Sequence, residues 1–189
     1  MYLFFQGRKK RTAFVSDVLA HSEGLYRYAL RLTRSPQEAE DLVQETLLKA
    51  YRSYGRTKKA SNYRAWAYTI LRNEFISRRR KIVREVPLAR EPMVDELESP
   101  HDMSQPFSGE WRQHLSDEIV QALDQLGELH RSAILLCDVE GLTYEEISQV
   151  MQCPVGTVRS RIFHGRKQLR SLLQTYAKQF GMEDVHEAV

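Results

Sequence analysis

The stretch Leu142–Leu173, LTYEEISQVMQCPVGTVRSRIFHGRKQLRSLL, joins an acidic segment to an arginine-rich one through a short break at residues 152–154. Thr143 is placed to cap a helix, and Glu146 follows where it completes a capping box. The proline of the break cannot continue that helix, because it lacks an amide N–H, so a second helix is expected to begin near Val155. The spacing therefore predicts two helices joined by a tight turn.

The second predicted helix has an apolar side and a basic, polar side. Apolar side chains recur at helical spacing at Val155, Val158, Ile162, Leu169 and Leu172. The opposite side carries Gly156, Ser160, Phe163, His164 and Lys167, flanked by Arg159, Arg166 and Arg170. A helix-turn-helix places such a helix in the major groove, where arginine contacts guanine edges and an aromatic ring contacts a thymine methyl. Two antiparallel core helices with a solvated basic face are the alternative.

Two further helices are predicted just before this stretch. LSDEIVQALDQLGELHRSAILLCDVEG carries two apolar stripes that divide near Gly127 and end at Gly141. Together the four helices predict a domain over residues 115–175, followed by a C-terminal tail over 176–189. The two cysteines and the nearby His130 and His164 match no zinc-binding spacing, so no metal site is predicted.

Residues 85–114 predict a flexible acidic linker. Glu91, Asp95, Glu96, Glu98 and Asp102 alternate here with four prolines and show no apolar periodicity. The fold is therefore expected to be all-α, with two small helical domains joined by this linker and the second domain ending in the helix-turn-helix. A single domain with a long surface loop stays open.

Composition favours a cytoplasmic protein that does not insert into a membrane. The net charge is +3, and no apolar run approaches the length that spans a bilayer. Two cysteines do not make a secreted disulfide framework. The first residues place their apolar side chains before their charges, the reverse of a secretory signal. LFFQG resembles the scar of a cleaved tag, so residues 1–7 are left out of the fold prediction, although they also fit a native segment.

The first predicted domain, residues 8–84, contains a well-capped amphipathic helix. SPQEAEDLVQETLLKAYRSY begins with Ser35 as N-cap, Pro36 at the first helical position and Glu38 completing a capping box. Its polar face includes Asp41, Gln44, Glu45, Lys49 and Arg52. An ordinary solvated face explains this pattern as well as a binding surface does. A metal at the two spaced acids is disfavoured because no third ligand lies at helical spacing.

A basic and aromatic segment follows Gly55, with the sequence RTKKASNYRAWAYTILRNEFISRRRK. Residues 58–62 predict a short basic loop, and Tyr63 and Trp66 begin an apolar stripe. Rings that stack on bases beside cations that meet phosphates suit single-stranded nucleic acid. The same rings at the same spacing also fit a hydrophobic core, and both interpretations stay open.

Three of these segments resemble one protein family. DVEGLTYEEISQVMQCPVGTVRSRIFHGRKQLR resembles region 4 of the extracytoplasmic-function (ECF) group of bacterial RNA polymerase sigma factors, within the sigma-70 family. EDLVQETLLKAYR and NYRAWAYTILRNEFISRRRK resemble region 2 of the same group. The resemblance covers roughly residues 24–81 and 115–173. It implies region 2 over 8–84, a linker over 85–114 and region 4 over 115–175.

The resemblance also implies a function and a set of site residues. Such a protein binds core RNA polymerase, recognises the −35 and −10 promoter elements and helps to melt DNA, with no catalysis or cofactor of its own. Core polymerase binding would fall on Asp41, Leu42, Gln44 and Glu45. The −10 element would be met by Lys58, Lys59, Ser61, Asn62, Tyr63, Trp66, Arg72, Asn73, Arg78, Arg79 and Arg80. The −35 element would be met by Thr157, Arg159, Ser160, Phe163 and His164, with Arg161, Arg166 and Lys167 toward phosphates.

The partners implied by the resemblance are promoter DNA, the clamp helices of the polymerase's largest subunit, the flap of its second-largest subunit, and an anti-sigma factor. Three features depart from the family pattern. Ser77 stands where Asp is usual, His164 stands where Arg is common, and LGELHR replaces the usual Leu-Pro. These departures leave the promoter sequence open.

Two other functions compete with this interpretation. A helix-turn-helix regulator that acts without polymerase would leave the basic and aromatic segment of the first domain unexplained, and it would commonly be two-fold symmetric. A nuclease using Asp41 and Glu45 would lack a third ligand and a nucleophile–base pair.

Overall fold

The computed structural model describes residues 2–54, 62–85 and 117–179, and within these ranges every regular element is helical. The chain divides into two compact units. The prediction of an all-α fold built as two helical units is thereby confirmed. Most of the predicted linker 85–114 and most of the predicted tail 176–189 lie outside the described residues, so the domain boundaries remain predictions.

The described residues of the first unit, 2–54 and 62–85, form four α-helices and one short 3₁₀ turn. Its elements are α1 (Tyr2–Asp17), the 3₁₀ turn (Leu19–His21), α2 (Ser22–Thr33), α3 (Pro36–Ser53) and α4 (Tyr63–Glu85). The backbone of residues 2–7, which the sequence analysis set aside, forms the start of α1.

The boundary between α2 and α3 follows the local sequence. Arg34 closes α2 in the left-handed conformation, with φ 60°, and its N–H donates to the carbonyl of Leu30. The Ser35 side chain then accepts a hydrogen bond from the Glu38 N–H at 3.4 Å, and Pro36 occupies the first helical position. The predicted cap and start of α3 are therefore confirmed.

The core of the first unit forms where α2, α3 and α4 face one another. Leu25, Tyr28, Leu42, Tyr68 and Leu71 are almost completely buried. The Tyr28 and Tyr68 rings meet edge to face, with centroids 5.6 Å apart. Burial of each such side chain contributes about 1.5–3 kcal/mol relative to exposure, so this apolar layer fixes the three helices and the polar faces they carry.

Residues 117–179, called the second unit below, contain the four helices that the sequence predicted. They are α5 (Asp117–Asp124), α6 (Glu128–Ile134), α7 (Tyr144–Met151) and α8 (Val155–Gln179). A π-helical turn, Leu135–Val139, continues α6. None of the helices in the described part of the chain is long and apolar enough to cross a membrane.

The π-helical turn was not predicted from the sequence. The Glu140 N–H donates to the Leu135 carbonyl at 2.9 Å, which is the wider spacing of a π-helix. The segment then ends at Gly141, whose φ of 67° favours glycine because it has no Cβ. All residues from 131 to 140 are buried, so this segment is the centre of the second unit.

The helix-turn-helix is confirmed as predicted. Thr143 and Glu146 form a reciprocal capping box, with Thr143 N–H to Glu146 Oε2 at 2.6 Å and Glu146 N–H to Thr143 Oγ1 at 3.2 Å. Gln152 turns the chain with a φ of 52°, and α8 begins directly after the proline of the break. Val158 and Ile162 anchor α8 in the core.

Candidate nucleic-acid interface

The polar side of α8 is partly exposed. Arg159 and Lys167 are exposed, while Thr157, Ser160 and Phe163 are half-buried. Because Val158 and Ile162 hold the opposite side of the helix in the core, these polar groups keep a fixed direction. The surface offers cations for phosphates and small polar groups for base edges.

Arg166 is used inside the second unit. Its Nε lies 3.0 Å from Asp138 Oδ2, and its Nη2 lies 2.5 Å from Asp138 Oδ1, so the contact is bidentate. Burial of the guanidinium opposes its charge, but the hydrogen bonds and charge of Asp138 outweigh that cost and raise the pKa of Arg166. Both side chains are largely shielded from solvent. Arg166 therefore fixes α8 within the second unit, and its contact with a phosphate remains a prediction.

His164 faces inward as well as outward. Its Nε2 is buried and has no hydrogen-bond partner among the described residues. Its ring lies 5.3 Å from that of Phe163 and 6.4 Å from that of His130 on α6. Burial, followed by the charges of His164 and Arg161, lowers the pKa of His130, while a hydrogen bond between His130 and Gln168 opposes this. The accessible part of the polar face is therefore smaller at His164 than the helical spacing predicted, because one ring nitrogen is buried.

The turn before α8 is also tied to the helix. Arg161 is half-buried, and its Nη1 lies 3.3 Å from the sulfur of Cys153 in the break between the two helices. This contact points the guanidinium toward the turn. Arg161 therefore lies beside the predicted interface and braces the turn at its edge.

The polar face of α3 carries most of the residues predicted to bind core polymerase. Asp41 and Gln44 are exposed, and Glu45 is half-buried. The Leu42 side chain is fully buried and packs in the core, so its contact with a partner remains a prediction. The remaining three present two carboxylates and an amide along one edge of the helix.

A small ion-pair network links this face to α4. Glu74 accepts hydrogen bonds from Lys49 and from Arg78 Nε, the latter at 3.3 Å. These bonds, led by the one from Lys49, lower the pKa of Glu74 against the opposing effect of burial. Arg78 Nη2 also donates to the backbone carbonyl of Asp41 at 3.2 Å. Arg78 thus joins the two helices as well as being a candidate for DNA contact.

The residues predicted to meet the −10 element have mixed environments along α4. The Asn62 side chain caps the helix by accepting from the Ala65 N–H at 2.9 Å. Arg72 is buried, so its guanidinium is not a surface cation. Six other candidates are at least partly accessible: Tyr63, Trp66, Asn73, Arg78, Arg79 and Arg80. Lys58, Lys59 and Ser61 lie outside the described residues.

The aromatic candidates form a connected row. Tyr63 lies 6.0 Å from Trp66 by ring centroids, and 5.2 Å from Tyr54 at the end of α3. Tyr54 in turn meets Phe14 of α1 edge to face at 5.4 Å. The row runs from α1 to the start of α4.

Within the described residues, no group of three or more His, Cys, Asp or Glu side chains could hold a metal ion.

Comparisons with known proteins match both units. A family model described as "Sigma-70 region 2" matches residues 18–85, and one described as "Sigma-70, region 4" matches residues 116–169. The RNA polymerase sigma-H factor of Pseudomonas aeruginosa is 34% identical over 174 residues, which cover 88% of this chain and 89% of that protein. The ECF RNA polymerase sigma factor EcfG of Rhodopseudomonas palustris is 37% identical, with 92% of each chain covered.

The chain belongs to the ECF sigma factors. This confirms the resemblance drawn from the sequence. A solved relative of this sigma factor is RpoE of Bartonella quintana in complex with the anti-sigma factor NepR, with a TM-score of 0.67 and 32% identity over 85% of this chain and 96% of that one. CnrH in complex with the cytosolic domain of CnrY gives a TM-score of 0.61 at 20% identity over 87% of this chain and 90% of that one, and it supports the fold alone.

The sequence analysis of this sigma factor missed the long-range contacts of three residues: Asp17, Tyr54 and Asp138. Asp17 and Tyr54 are 37 positions apart when they hydrogen-bond, and Asp138 and Arg166 are 28 apart. Helical periodicity relates positions within a few turns, so it gives no signal for such pairs. The acidic Asp138 between buried apolar residues was the one available hint, since a buried carboxylate needs a partner.

Proposed function

We propose that this ECF sigma factor binds core RNA polymerase and directs initiation at promoters that carry a −35 and a −10 element, under the control of an anti-sigma factor. The observation that carries the proposal is α8, a helix whose exposed side bears Arg159 and Lys167 and whose other side is locked by Val158, Ile162 and the Asp138–Arg166 pair. Its relatives are named as ECF sigma factors, and RpoE was solved with an anti-sigma factor.

In the second unit, we propose that α8 enters the major groove of the −35 element. Thr157, Ser160 and Phe163 are half-buried and face the side that the helix presents, which suits contact with base edges and a thymine methyl. Arg159 and Lys167 supply exposed charge for base or phosphate contact. His164 contributes at the edge, because one of its ring nitrogens is buried.

In the first unit, we propose that Tyr63 and Trp66 meet unpaired bases of the −10 element. Both rings are half-buried, so each keeps an accessible part for stacking. Asn73, Arg79 and Arg80 are exposed on α4 and suit the DNA backbone. Lys58, Lys59 and Ser61 remain candidates for the same element, while Arg72 is assigned to the interior.

Core polymerase binding is proposed for Asp41, Gln44 and Glu45 on the clamp helices of the largest subunit, with the second unit on the flap of the second-largest subunit. The exposed Asp41 and the half-buried Glu45 on α3 suit a basic or polar partner surface. Sigma factors are transcription initiation factors, and we infer that this one works in the cytoplasm, without cofactor or catalysis of its own. The basic α8 and the ring row of α4 serve binding, which needs no nucleophile or metal.

Reconstitution with sigma-free bacterial core RNA polymerase tests the proposal. We expect the complex to transcribe from genomic fragments that share one −35/−10 pair, and Arg159→Ala to lower transcription from them through weaker −35 binding. Arg11→Ala, which removes an exposed cation of α1, is the matched control and should leave transcription unchanged. Tight binding to a palindromic duplex without core polymerase would instead identify a polymerase-independent regulator.

A further inference from the structure

We propose that Asp17 and Phe14 of α1 are positioning residues for capture of the −10 element. The inference rests on the proposed function, because it takes Tyr63 and Trp66 as the rings that meet unpaired promoter bases. Asp17 and Phe14 lie before residue 18, where the match to the region 2 family model begins. Helix α1 would therefore take part in promoter opening without touching DNA.

The first step is the contact between Tyr54 and Tyr63. Tyr54 closes α3 in an extended conformation, with φ −61° and ψ 124°, and Tyr63 is the first residue of α4. Their ring centroids are 5.2 Å apart with the planes tilted by 39°. Tyr63 in turn meets Trp66 at 6.0 Å and an angle of 74°. A displacement of Tyr54 would therefore be passed to both rings.

The second step is that α1 fixes Tyr54 at two points. The Tyr54 hydroxyl donates a hydrogen bond to Asp17 Oδ2 at 2.5 Å. Phe14 packs against the Tyr54 ring edge to face, at 5.4 Å and 82°, and against the Tyr51 ring at 5.1 Å. Phe14 and Tyr54 are both buried. The hydroxyl and the ring of Tyr54 are thus held independently by neighbouring turns of one helix.

The electrostatics keep this hydrogen bond intact. Burial raises the pKa of Tyr54, and the hydrogen bond and negative charge of Asp17, with Tyr63 nearby, raise it further. The hydroxyl therefore stays protonated and remains a donor throughout the physiological range. An O–H donor on a carboxylate is a charge-assisted bond, stronger than one between neutral groups.

The consequence concerns preorganisation. A ring that is already fixed stacks on a base without first losing its own conformational freedom, whereas a loose ring must be ordered on binding. Without Asp17, the Tyr54 side chain keeps its contact with Phe14 but loses the second point that fixes it, so its support of Tyr63 weakens. The accessible candidates for core polymerase binding lie at least two turns earlier on α3, and the last of them is the half-buried Glu45. Loss of the Asp17 bond should therefore weaken −10 capture and spare core binding.

The test uses full-length variants assembled with core polymerase. The measurement is the affinity of each holoenzyme for a fluorescent single strand that carries the non-template −10 sequence of a promoter found by the reconstitution above. Tyr54→Phe and Asp17→Ala should each weaken this affinity by about tenfold, the size expected for loosening the stacking of one base. The double variant should lose little more, because both changes remove one contact.

Conservative and control variants separate positioning from simple loss of structure. Asp17→Asn keeps an acceptor oxygen and should recover most of the affinity. Glu23→Ala removes an exposed acid of α2 that pairs with Arg27 at 3.1 Å, and it should change nothing. Affinities for core polymerase and for a −35 duplex, measured on the same proteins, should stay constant across the set.

Three results would overturn the inference. If Tyr54→Phe and Asp17→Ala bind the −10 strand as tightly as the unchanged protein and bind core polymerase normally, this inference is wrong and the proposed function stands. Equal losses of core binding and −10 binding, together with a lower melting temperature, would show that Asp17 acts on the stability of the whole unit. Failure of the unchanged protein to bind core polymerase would remove the proposed function and this inference with it.

Discussion

The two units hold their candidate DNA-binding groups by different means. In the first unit, Tyr63 rests against Tyr54 in a row of rings, with ion pairs such as Lys49–Glu74 near the surface. In the second, α8 is tied to the segment after α6 by the buried Asp138–Arg166 pair. Ring contacts tolerate small displacements. A buried bidentate ion pair is directional, and removing one partner leaves the other charge buried and uncompensated. The second unit is therefore expected to be the more rigid and the less tolerant of substitution.

The largest expected difference comes from removing one acid in each unit. Asp138→Ala should cost about 3–5 kcal/mol of unfolding free energy, because it leaves the Arg166 charge buried without its partner. Glu74→Ala should cost at most about 1 kcal/mol, because Lys49 and Arg78 can regain water. Hydrogen exchange followed by mass spectrometry, read separately on peptides of each unit, measures both. Equal losses in the two units would contradict the comparison.

The next difference concerns helix caps. Thr143→Ala removes one half of a reciprocal box whose bonds are 2.6 and 3.2 Å long, and it should cost about 1–2 kcal/mol. Ser35→Ala removes a single longer bond of 3.4 Å and should cost about 0.5–1 kcal/mol. Urea unfolding of the two variants, compared with the unchanged protein, checks the order. A larger loss of unfolding free energy for Ser35→Ala would show that the length of the cap hydrogen bonds does not decide the size of the loss.

Two glycines of α8 give a smaller effect. A Cβ at the exposed Gly156 would meet nothing within 4 Å, so Gly156→Ala should raise the unfolding free energy by about 0.5–1 kcal/mol. At Gly165 a Cβ would lie 2.8 Å from Ile134 Cδ1 and 3.2 Å from His130 Cβ, so Gly165→Ala should forfeit that gain. Thermal unfolding followed by circular dichroism compares them. A higher midpoint for Gly165→Ala would show that Ile134 moves aside at no cost.

The last comparison concerns the direction in which the stability of each unit changes with pH. Burial lowers the pKa of His130 in the second unit, with the charges of His164 and Arg161 adding to it. Burial and Arg64 do the same for His21 in the first. When the pH falls below about 6.5, each histidine gains a proton in the unfolded chain. In the folded protein the same histidine is still neutral at that pH, because its pKa is lower. Its contribution is therefore present above about pH 6.5 and is lost as the pH falls toward its lower folded pKa.

Unfolding midpoints measured near neutral pH and in mild acid test this sign. The unchanged protein should be less stable in acid, and His130→Gln should reduce that loss in the second unit. His21→Gln should reduce it in the first unit and leave the second unchanged. Greater stability in acid for either histidine would mean that its proton is favoured by the fold, opposite to the expectation.

The parts of the structure that were predictable are the local ones. Caps at Ser35 and Thr143 and the start of α8 depend on neighbours within one turn, and the sequence predicts them correctly. The resemblance placed Leu42 among the partner-binding residues, and the apolar stripe of α3 placed it in the core; its burial confirms the stripe, while the partner contact remains a prediction. Contacts across the chain, such as Asp17 with Tyr54, depend on tertiary packing and carry no local pattern.

The bond between Asp138 and Arg166 also bears on how the DNA-binding part can be transplanted. A fragment that begins at the cap of α7 would contain Arg166 but leave its carboxylate behind, because Asp138 belongs to the preceding π-helical turn. A chimera built on such a fragment would carry an uncompensated cation on α8. A portable unit therefore has to start no later than α6, or the recipient protein has to supply an acid at the equivalent place.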